Sequence, residues 1–364
     1  MSSDSVGVAV VGLGWMGRVH TQAYARVRWH YPDLPAPQLI AVADEVPGRA
    51  AEAAGLYGFH TAATDWRDLV TDPRIAAVSI TAPNFLHREM GVAFAAAGKH
   101  IWIEKPVGLT ADDARAITGD GHVTVGFNYR HAPAVALAGT ILADGGIGTV
   151  TNARFTWFSD YAAAPDGALS WRFQRERGGN GVLGDLGSHA VDMIRHLLGE
   201  ITDVVAADTA IFIPSRPRPT GATSGHERGT GEPGPVENED WFTALLRLDG
   251  GARVTVEASR VAVGEPNAYG FEIHGTGGTL SWDFRRMGEL IVNGRTVFAE
   301  PGHGDFAAFQ PGAGIAMSYD DLKVIEAGLF LRSITSGAPH GATLADAIRA
   351  AEVLDAIAAA AGNR

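Results

Sequence analysis

Along the first third of the chain, apolar residues fall into short β-branched runs. Between those runs they recur every three or four positions. The runs are Val6 to Gly12, Gln38 to Asp44, Ala76 to Pro83, His100 to Glu104 and Val123 to Phe127, and the amphipathic stretches between them include Gly17 to Arg28, Pro47 to Leu56 and Leu86 to Ala97. Short strands alternating with helices predict βαβ units that feed a parallel, doubly wound sheet. Gly98 sits where a helix closes. From Asn128 the texture changes. One helix over Ala132 to Ala143 leads into longer alternating runs at Val150 to Phe158, Trp241 to Leu248, Arg253 to Val261 and Phe271 to His274. These predict a large, open, mostly antiparallel sheet with helices on one face. Two helices, Tyr319 to Ser336 and an alanine-rich Thr343 to Ala361, end the sequence.

The expected organisation is therefore an α/β domain over 1–127 followed by an α+β domain over 128–364. The C-terminal helices are free to pack back on the first. A length of 364 residues agrees, because single cores stop growing at roughly 250 to 300 residues. Between Pro214 and Pro235 a run crowded with Pro, Gly, Thr and Ser reads as a long loop or an oligomer arm, and no chemistry is assigned to it.

Composition narrows the partners. Hydrophobic residues make up 46% and charged residues 19%, as in an ordinary globular protein, and the net charge of -12 comes without any Lys/Arg-rich run. Nucleic acid is an unfavourable partner for such a surface. With no cysteine, disulfides, thiolate nucleophiles and thiolate-bound zinc are excluded, which suits a reducing cytoplasm. Met1 to Val6 lacks a basic leader and no apolar stretch approaches a bilayer span, so an unexported protein with no membrane partner is expected.

Gly12-Leu13-Gly14-Trp15-Met16-Gly17 follows one predicted strand and opens one predicted helix. In that context G-x-G-x-x-G marks a dinucleotide-binding Rossmann domain: Gly12 allows the turn, Gly14 lets a pyrophosphate approach, and Gly17 lets helix and strand pack. The second strand ends in Asp44-Glu45. Asp44 can accept from the adenosine ribose hydroxyls, and paired negative charges repel a 2′-phosphate, which favours NAD over NADP. A carboxylate capping the helix near Pro47 is the structural alternative, and the two are compatible. The segment Trp29 to Pro37 lengthens the spacing from Gly17 to Asp44 and reads as a loop insertion.

The chemistry is expected where parallel strands end. Thr81-Ala82-Pro83-Asn84 and His87 close the fourth strand, and Glu104-Lys105-Pro106 closes the fifth. Lys105 would point an ammonium at the nicotinamide edge. A surface lysine in a turn is the plain alternative. In the second domain Asp185, His189 and Asp192 share one helical face. A carboxylate one turn from an imidazole can orient it as a general base, although a helix-capping aspartate beside a solvated histidine would give the same spacing. No metal is assigned, because hydride chemistry needs none and no further ligand cluster is evident.

These residues, with Gly126-Phe127-Asn128-Tyr129-Arg130 and Trp171-Arg172, resemble the glucose-fructose oxidoreductase and inositol dehydrogenase (Gfo/Idh/MocA) family over nearly the whole chain. The resemblance implies an NAD-dependent dehydrogenase acting on a sugar, anhydro-sugar, glycoside or inositol. It implies that Lys105, Asp185 and His189 act on the reacting hydroxyl, that Trp171 and Arg172 lie near the nicotinamide, and that the open sheet assembles homodimers or homotetramers. Asn128, Arg130 and Arg172 are candidate hydroxyl binders. Whether His189 or Lys105 is the base stays open, and domain closure over the substrate is expected to gate turnover. The stretch Asn267 to Leu290 is similar to members acting on inositols or anhydro-sugars such as levoglucosan. Only Asp112 to Asp120 is available for the helix after Lys105, shorter than the family leads one to expect. Two other activities fit the same residues less directly: an NAD-dependent glycoside hydrolase or epimerase-like enzyme that recycles its hydride, and a non-catalytic NAD-binding regulator.

Overall fold

The structure is a computed structural model and describes residues 5–220 and 227–362. The chain divides into two units. The first takes the residues up to Asn128 together with Ser318–Ile348, and the second takes Tyr129–Met317 and the chain from Arg349 onward.

In the first unit β1 (Ser5–Val11), β2 (Ala36–Ala43), β3 (Thr61–Ala63), β4 (Ala77–Ile80), β5 (His100–Ile103) and β6 (Val123–Val125) form one sheet, parallel throughout, in the order β3-β2-β1-β4-β5-β6. That order reverses direction beside β1, the switch point at which a dinucleotide binds across such a sheet. Helices α1 (Trp15–His30), α2 (Arg49–Tyr57), α3 (Asn84–Ala96) and α4 (Ala111–Arg115) connect the strands. The sheet interior is aliphatic, with Val8, Val10, Val78, Ile80, Ile101 and Ile103 all buried.

Three local expectations change. The edge strand β3 has three residues and no alternation, too short for a periodicity to show. Trp29 to Pro37 is less of an insertion than its composition implies, because α1 continues to His30 and β2 already begins at Ala36. The short helix before β6 is α4, five residues opened by a capping box between Thr110 and Asp113.

In the second unit α5 (Pro133–Ala143) precedes β7 (Val150–Phe158). A short α6 (Arg175–Gly178), a π-helical turn over Leu183–Gly187 and α7 (Ser188–Leu198) follow. Next come β8 (Ile201–Ala210), the ribbon strands β9 (Ser215–Pro217) and β10 (Pro233–Pro235), then β11 (Trp241–Leu248), β12 (Arg253–Ser259), β13 (Ala268–Gly275), β14 (Thr279–Asp283), β15 (Glu289–Val292) and β16 (Arg295–Phe298). Eight of these make a sheet ordered β16-β15-β14-β13-β7-β12-β11-β8, antiparallel except where β7 runs parallel to β12. The period of two divides its faces. Phe155, Trp157, Phe242, Val254, Val256, Tyr269 and Phe271 point into a core with α5 and α7, while Arg154, Arg253 and Glu272 alternate with them on the other face. α8 (Tyr319–Ser336) packs on α1 in the first unit, and α9 (Leu344–Ala360) follows it.

Of the Pro/Gly-rich run 214–235, residues 221–226 lie outside the described residues, as do residues 1–4 of the N-terminal stretch. Among the described residues no helix is long and apolar enough to cross a membrane.

Candidate active site

In the first unit the glycine loop is built for an anion. Gly12 holds φ at +90°, and a Cβ there would meet Ala82 N at 2.8 Å; a Cβ on Gly17 would lie 1.9 Å from Gly12 O. Gly14 has nothing within 4 Å of the same position, so the approach to the backbone is open. It is also the N-cap of α1, with no side chain capping the helix. Free amides at the start of a helix of 16 residues favour a phosphate through their dipoles. Trp15 stands exposed beside this loop, stacked on Tyr319 of α8 with ring centroids 5.3 Å apart, and Tyr319 Oη lies 3.5 Å from Met16 Sδ.

Asp44 ties the loop to β2. Its carboxylate accepts from Leu13 N at 2.6 Å and Val46 N at 2.9 Å, with Arg49 Nη1 at 3.3 Å. Asp44 closes the turn at Val46 and does not cap α2, whose N-cap Gly48 has no side-chain partner, so the capping alternative is not met; its carboxylate stands at the tip of β2. Two charges near 4 Å repel by about 4 kcal/mol at an effective dielectric of 20. Asp44→Ala should therefore move the NADP-to-NAD ratio of kcat/KM upward by roughly tenfold or more, with Arg49 free to meet the 2′-phosphate. Initial rates with each cofactor check this, and an unchanged ratio would remove Asp44 from cofactor selection.

The β4 and β5 tips are joined from behind. Thr81 Oγ1 donates to Gly12 O at 2.6 Å. His87 is 1% exposed, with Nδ1 2.8 Å from Pro106 O and Nε2 2.7 Å from Ala82 O. Its nitrogens are taken by the two loops that flank Asn84 and Lys105, so His87 pins Ala82-Pro83-Asn84 to Lys105-Pro106 and offers no polar atom to a cofactor. Burial pushes its pKa down, against the pull of both carbonyls.

Glu104 also turns inward. Its Oε1 receives His20 Nε2 at 2.9 Å and Lys323 Nζ at 2.5 Å, and Lys323 also donates to Glu326 at 2.8 Å. Trp102 donates to Glu326 and stacks on His20. His20, Lys323 and Glu326 are each wholly buried. The carboxylates and imidazole could bracket a cation, and the Lys323 ammonium is the cation they hold. Lys323 and His20 keep the Glu104 carboxyl far below its usual range, whereas burial lifts Glu326 to about 7 and drops His20 to about 4. Gly126 leaves the space that Glu104 fills, since a Cβ would come within 2.6 Å of Oε1. Glu104 is thus a structural anchor, and half-buried Lys105 is the residue of the pair left at the sheet's C-terminal edge. Asn128, three residues beyond β6, is wholly buried.

In the second unit the helical face separates into two partnerships. Asp185, on the π-helical turn, accepts from Tyr161 Oη at 2.8 Å. Asp192 takes both Nε (2.7 Å) and Nη2 of Arg130 in a nearly buried pair. Arg130 is thereby a post that holds α7 to the turn before α5, a correction to its expected hydroxyl-binding role. His189 is 6% exposed and lies among aromatic rings: Tyr129 meets it edge-on at 4.8 Å and Trp157 at 5.4 Å. Tyr269 Oη donates to its carbonyl at 3.2 Å. Trp171 and Arg172 sit on a 3-10 turn, the guanidinium 4.4 Å over the indole. Tyr161 and Tyr319 were not reachable from the sequence. Lys323 and Glu326 carry a weak signal, being a charged pair inside an otherwise apolar helical face.

Comparison with known proteins gives the family. Residues 6–119 match a model described as an oxidoreductase family with an NAD-binding Rossmann fold, and residues 135–281 match the GFO/IDH/MocA C-terminal domain. The levoglucosan dehydrogenase of Pseudarthrobacter phenanthrenivorans is 38% identical over 97% of this chain and 95% of its own. The inositol 2-dehydrogenase of Rhizobium meliloti is 28% identical over 97% and 96%. A solved levoglucosan dehydrogenase in complex with NADH superposes with a TM-score of 0.92 at 36% identity, covering 99% of this chain and 97% of that one. With both halves matched and a full-length relative of this similarity, the chain belongs to the GFO/IDH/MocA family of NAD-dependent oxidoreductases.

Proposed function

We propose that this chain oxidises a secondary hydroxyl of a sugar, with an anhydro-sugar such as levoglucosan as the favoured substrate and an inositol as the second choice. The observation that supports it most is the full-length likeness to levoglucosan dehydrogenase, 38% identical against 28% for the inositol enzyme. NAD, when bound, supplies the hydride acceptor. Lys105 donates to the substrate oxygen as it gains negative charge, a fixed positive group of the kind that stabilises such a centre. His189 takes the hydroxyl proton from a position shielded by Tyr129 and Trp157. Lys105 can take that proton instead, with His189 as the relay. Asp185, held by Tyr161, orients the imidazole or binds a neighbouring hydroxyl. Trp171 and Arg172 complete the cofactor side. The outer face of the large sheet joins two copies into a homodimer, or four into a homotetramer, with Val205 and Phe212 exposed along β8 and just beyond it.

The test is NADH appearance with NAD and a panel of levoglucosan, inositols, free hexoses and methyl glycosides, with NADP in parallel. Accumulation with levoglucosan and NAD is expected, and light scattering on the same preparation should exceed the mass of one chain. Accumulation with inositols alone would overturn the anhydro-sugar assignment. Tight cofactor binding without NADH from any of them would replace net oxidation by a hydride returned within one turnover.

A further inference from the structure

The ribbon flanking 221–226 holds a guanidinium in the interior that forms no ion pair among the described residues. Arg216, on β9, is 1% exposed. Its Nη1 donates to Ala164 O at 2.8 Å and its Nη2 to Ala162 O. The plane lies 4.2 Å over the Phe173 ring, which Arg260 also faces at 4.6 Å. Among the described residues every hydrogen-bond acceptor of Arg216 is a backbone carbonyl, and burial lowers its pKa. An arginine placed so is organised around the chain segment it grips.

That segment is 161–173. The ribbon stitches it elsewhere as well: Leu169 N donates to Pro217 O and Ala168 N to Glu227 O, each at 2.8 Å, and Glu237 N donates to Phe173 O at 2.9 Å. Gly167 provides the clearance, since a Cβ there would come 2.9 Å from Arg216 Nη1. The gripped segment begins with Tyr161, whose hydroxyl donates to Asp185 at 2.8 Å, and ends at Trp171 and Arg172. The carbonyl that Arg216 holds at Ala162 directly follows Tyr161.

We propose that Arg216 is a positioning residue for substrate recognition: from the Pro/Gly-rich ribbon it fixes the 162–164 turn and so sets the Tyr161 hydroxyl on Asp185. This rests on the reading of Asp185 as a group that meets the substrate. The ribbon is thereby a strut for the substrate side of the second unit.

The experiment compares Arg216→Met, Arg216→Lys, Tyr161→Phe and Asp185→Asn in the full chain, with levoglucosan, or an inositol if the panel selects it, and NADH binding followed by fluorescence. Tyr161→Phe removes one hydrogen bond to a charged group, a loss of about tenfold or more. It should raise KM by that factor, leave the NADH Kd within about twofold, and move the acid limb of kcat/KM to higher pH, because a carboxylate that loses a donor holds its proton longer. Arg216→Met should show the same rise in KM and the same shift of the acid limb, with Arg216→Lys in between. Wild-type KM and acid limb in Tyr161→Phe overturn the proposal. So does an Arg216→Met protein that loses NADH affinity and thermal stability with KM unchanged. If Arg216→Met does not fold, Tyr161→Phe decides. Wild-type kinetics in Asp185→Asn would instead overturn the reading of Asp185 beneath it.

Discussion

Replacing Lys105 with methionine should lower turnover by roughly 10²- to 10⁴-fold while NADH affinity stays within a few-fold. The two effects separate because different atoms carry them. On the proposed reading, pyrophosphate binding falls to the open backbone at Gly14 and the uncapped start of α1, and ribose binding to Asp44, groups other than the Lys105 side chain. The lysine's share is instead a positive N–H aimed at an oxygen that becomes negative as the hydride leaves. Methionine keeps the length and removes the charge and every donor. Steady-state NADH formation gives the turnover, and fluorescence titration gives the affinity. Turnover within threefold of wild type would take Lys105 out of the mechanism, and a parallel collapse of NADH binding would recast it as a cofactor ligand. The pH profile of His189→Gln then ranks the two bases. If the limb assigned to the base disappears there and survives in Lys105→Met, the imidazole takes the proton.

Much of this was legible before the fold. Strands of the first sheet are short β-branched runs, and the glycine motif sits between a strand and a helix, so local sequence and global topology agree. Asp185, His189 and Lys105 could be named as candidates because residues at strand ends and on one helical face suggest a role without knowledge of distant partners. What failed depended on pairing across the chain. Arg130 reads as a free cation until Asp192, 62 positions away, takes it. Glu104 reads as part of the site until Lys323, 219 positions away, turns it inward. His87 falls within the right segment, yet its role follows from two backbone carbonyls that no side-chain pattern reveals. The ribbon reads as a loop or an oligomer arm because proline and glycine announce turns. Nothing in that composition says that one arginine among them is buried.

The charged cluster behind Glu104 yields the largest expected change in stability. Lys323→Met leaves the buried Glu104 carboxylate, with Glu326 beside it, without the cation that pairs it, and breaking a buried pair in this way costs about 3 to 5 kcal/mol. At roughly 2 to 4 °C per kcal/mol for a unit of this size, the melting temperature should fall by about 6 to 20 °C. Glu326→Gln should act in the opposite sense, and its effect should depend on pH. Burial raises the Glu326 carboxyl from 4.5 to about 7, so between those values the unfolded chain ionises while the folded chain keeps its proton. That contribution is complete below pH 4.5 and is lost as pH rises through about 7. Glutamine does not titrate, and its amide retains the shape of the neutral acid beside Lys323 and Trp102. The stability of Glu326→Gln relative to wild type should therefore grow from pH 5 to pH 8, by at most about 3 kcal/mol at 1.36 kcal/mol per pKa unit. His20 contributes in the other direction on the acid side, because its imidazole, held at about 4, stays neutral while the unfolded one charges below 6.5. It is present in both proteins and cancels in the comparison. Thermal melts of wild type and both variants across that range decide the matter. Parallel curves for wild type and Glu326→Gln would mean that Glu326 is already ionised in the folded chain at pH 5, with Lys323 shared between two full negative charges.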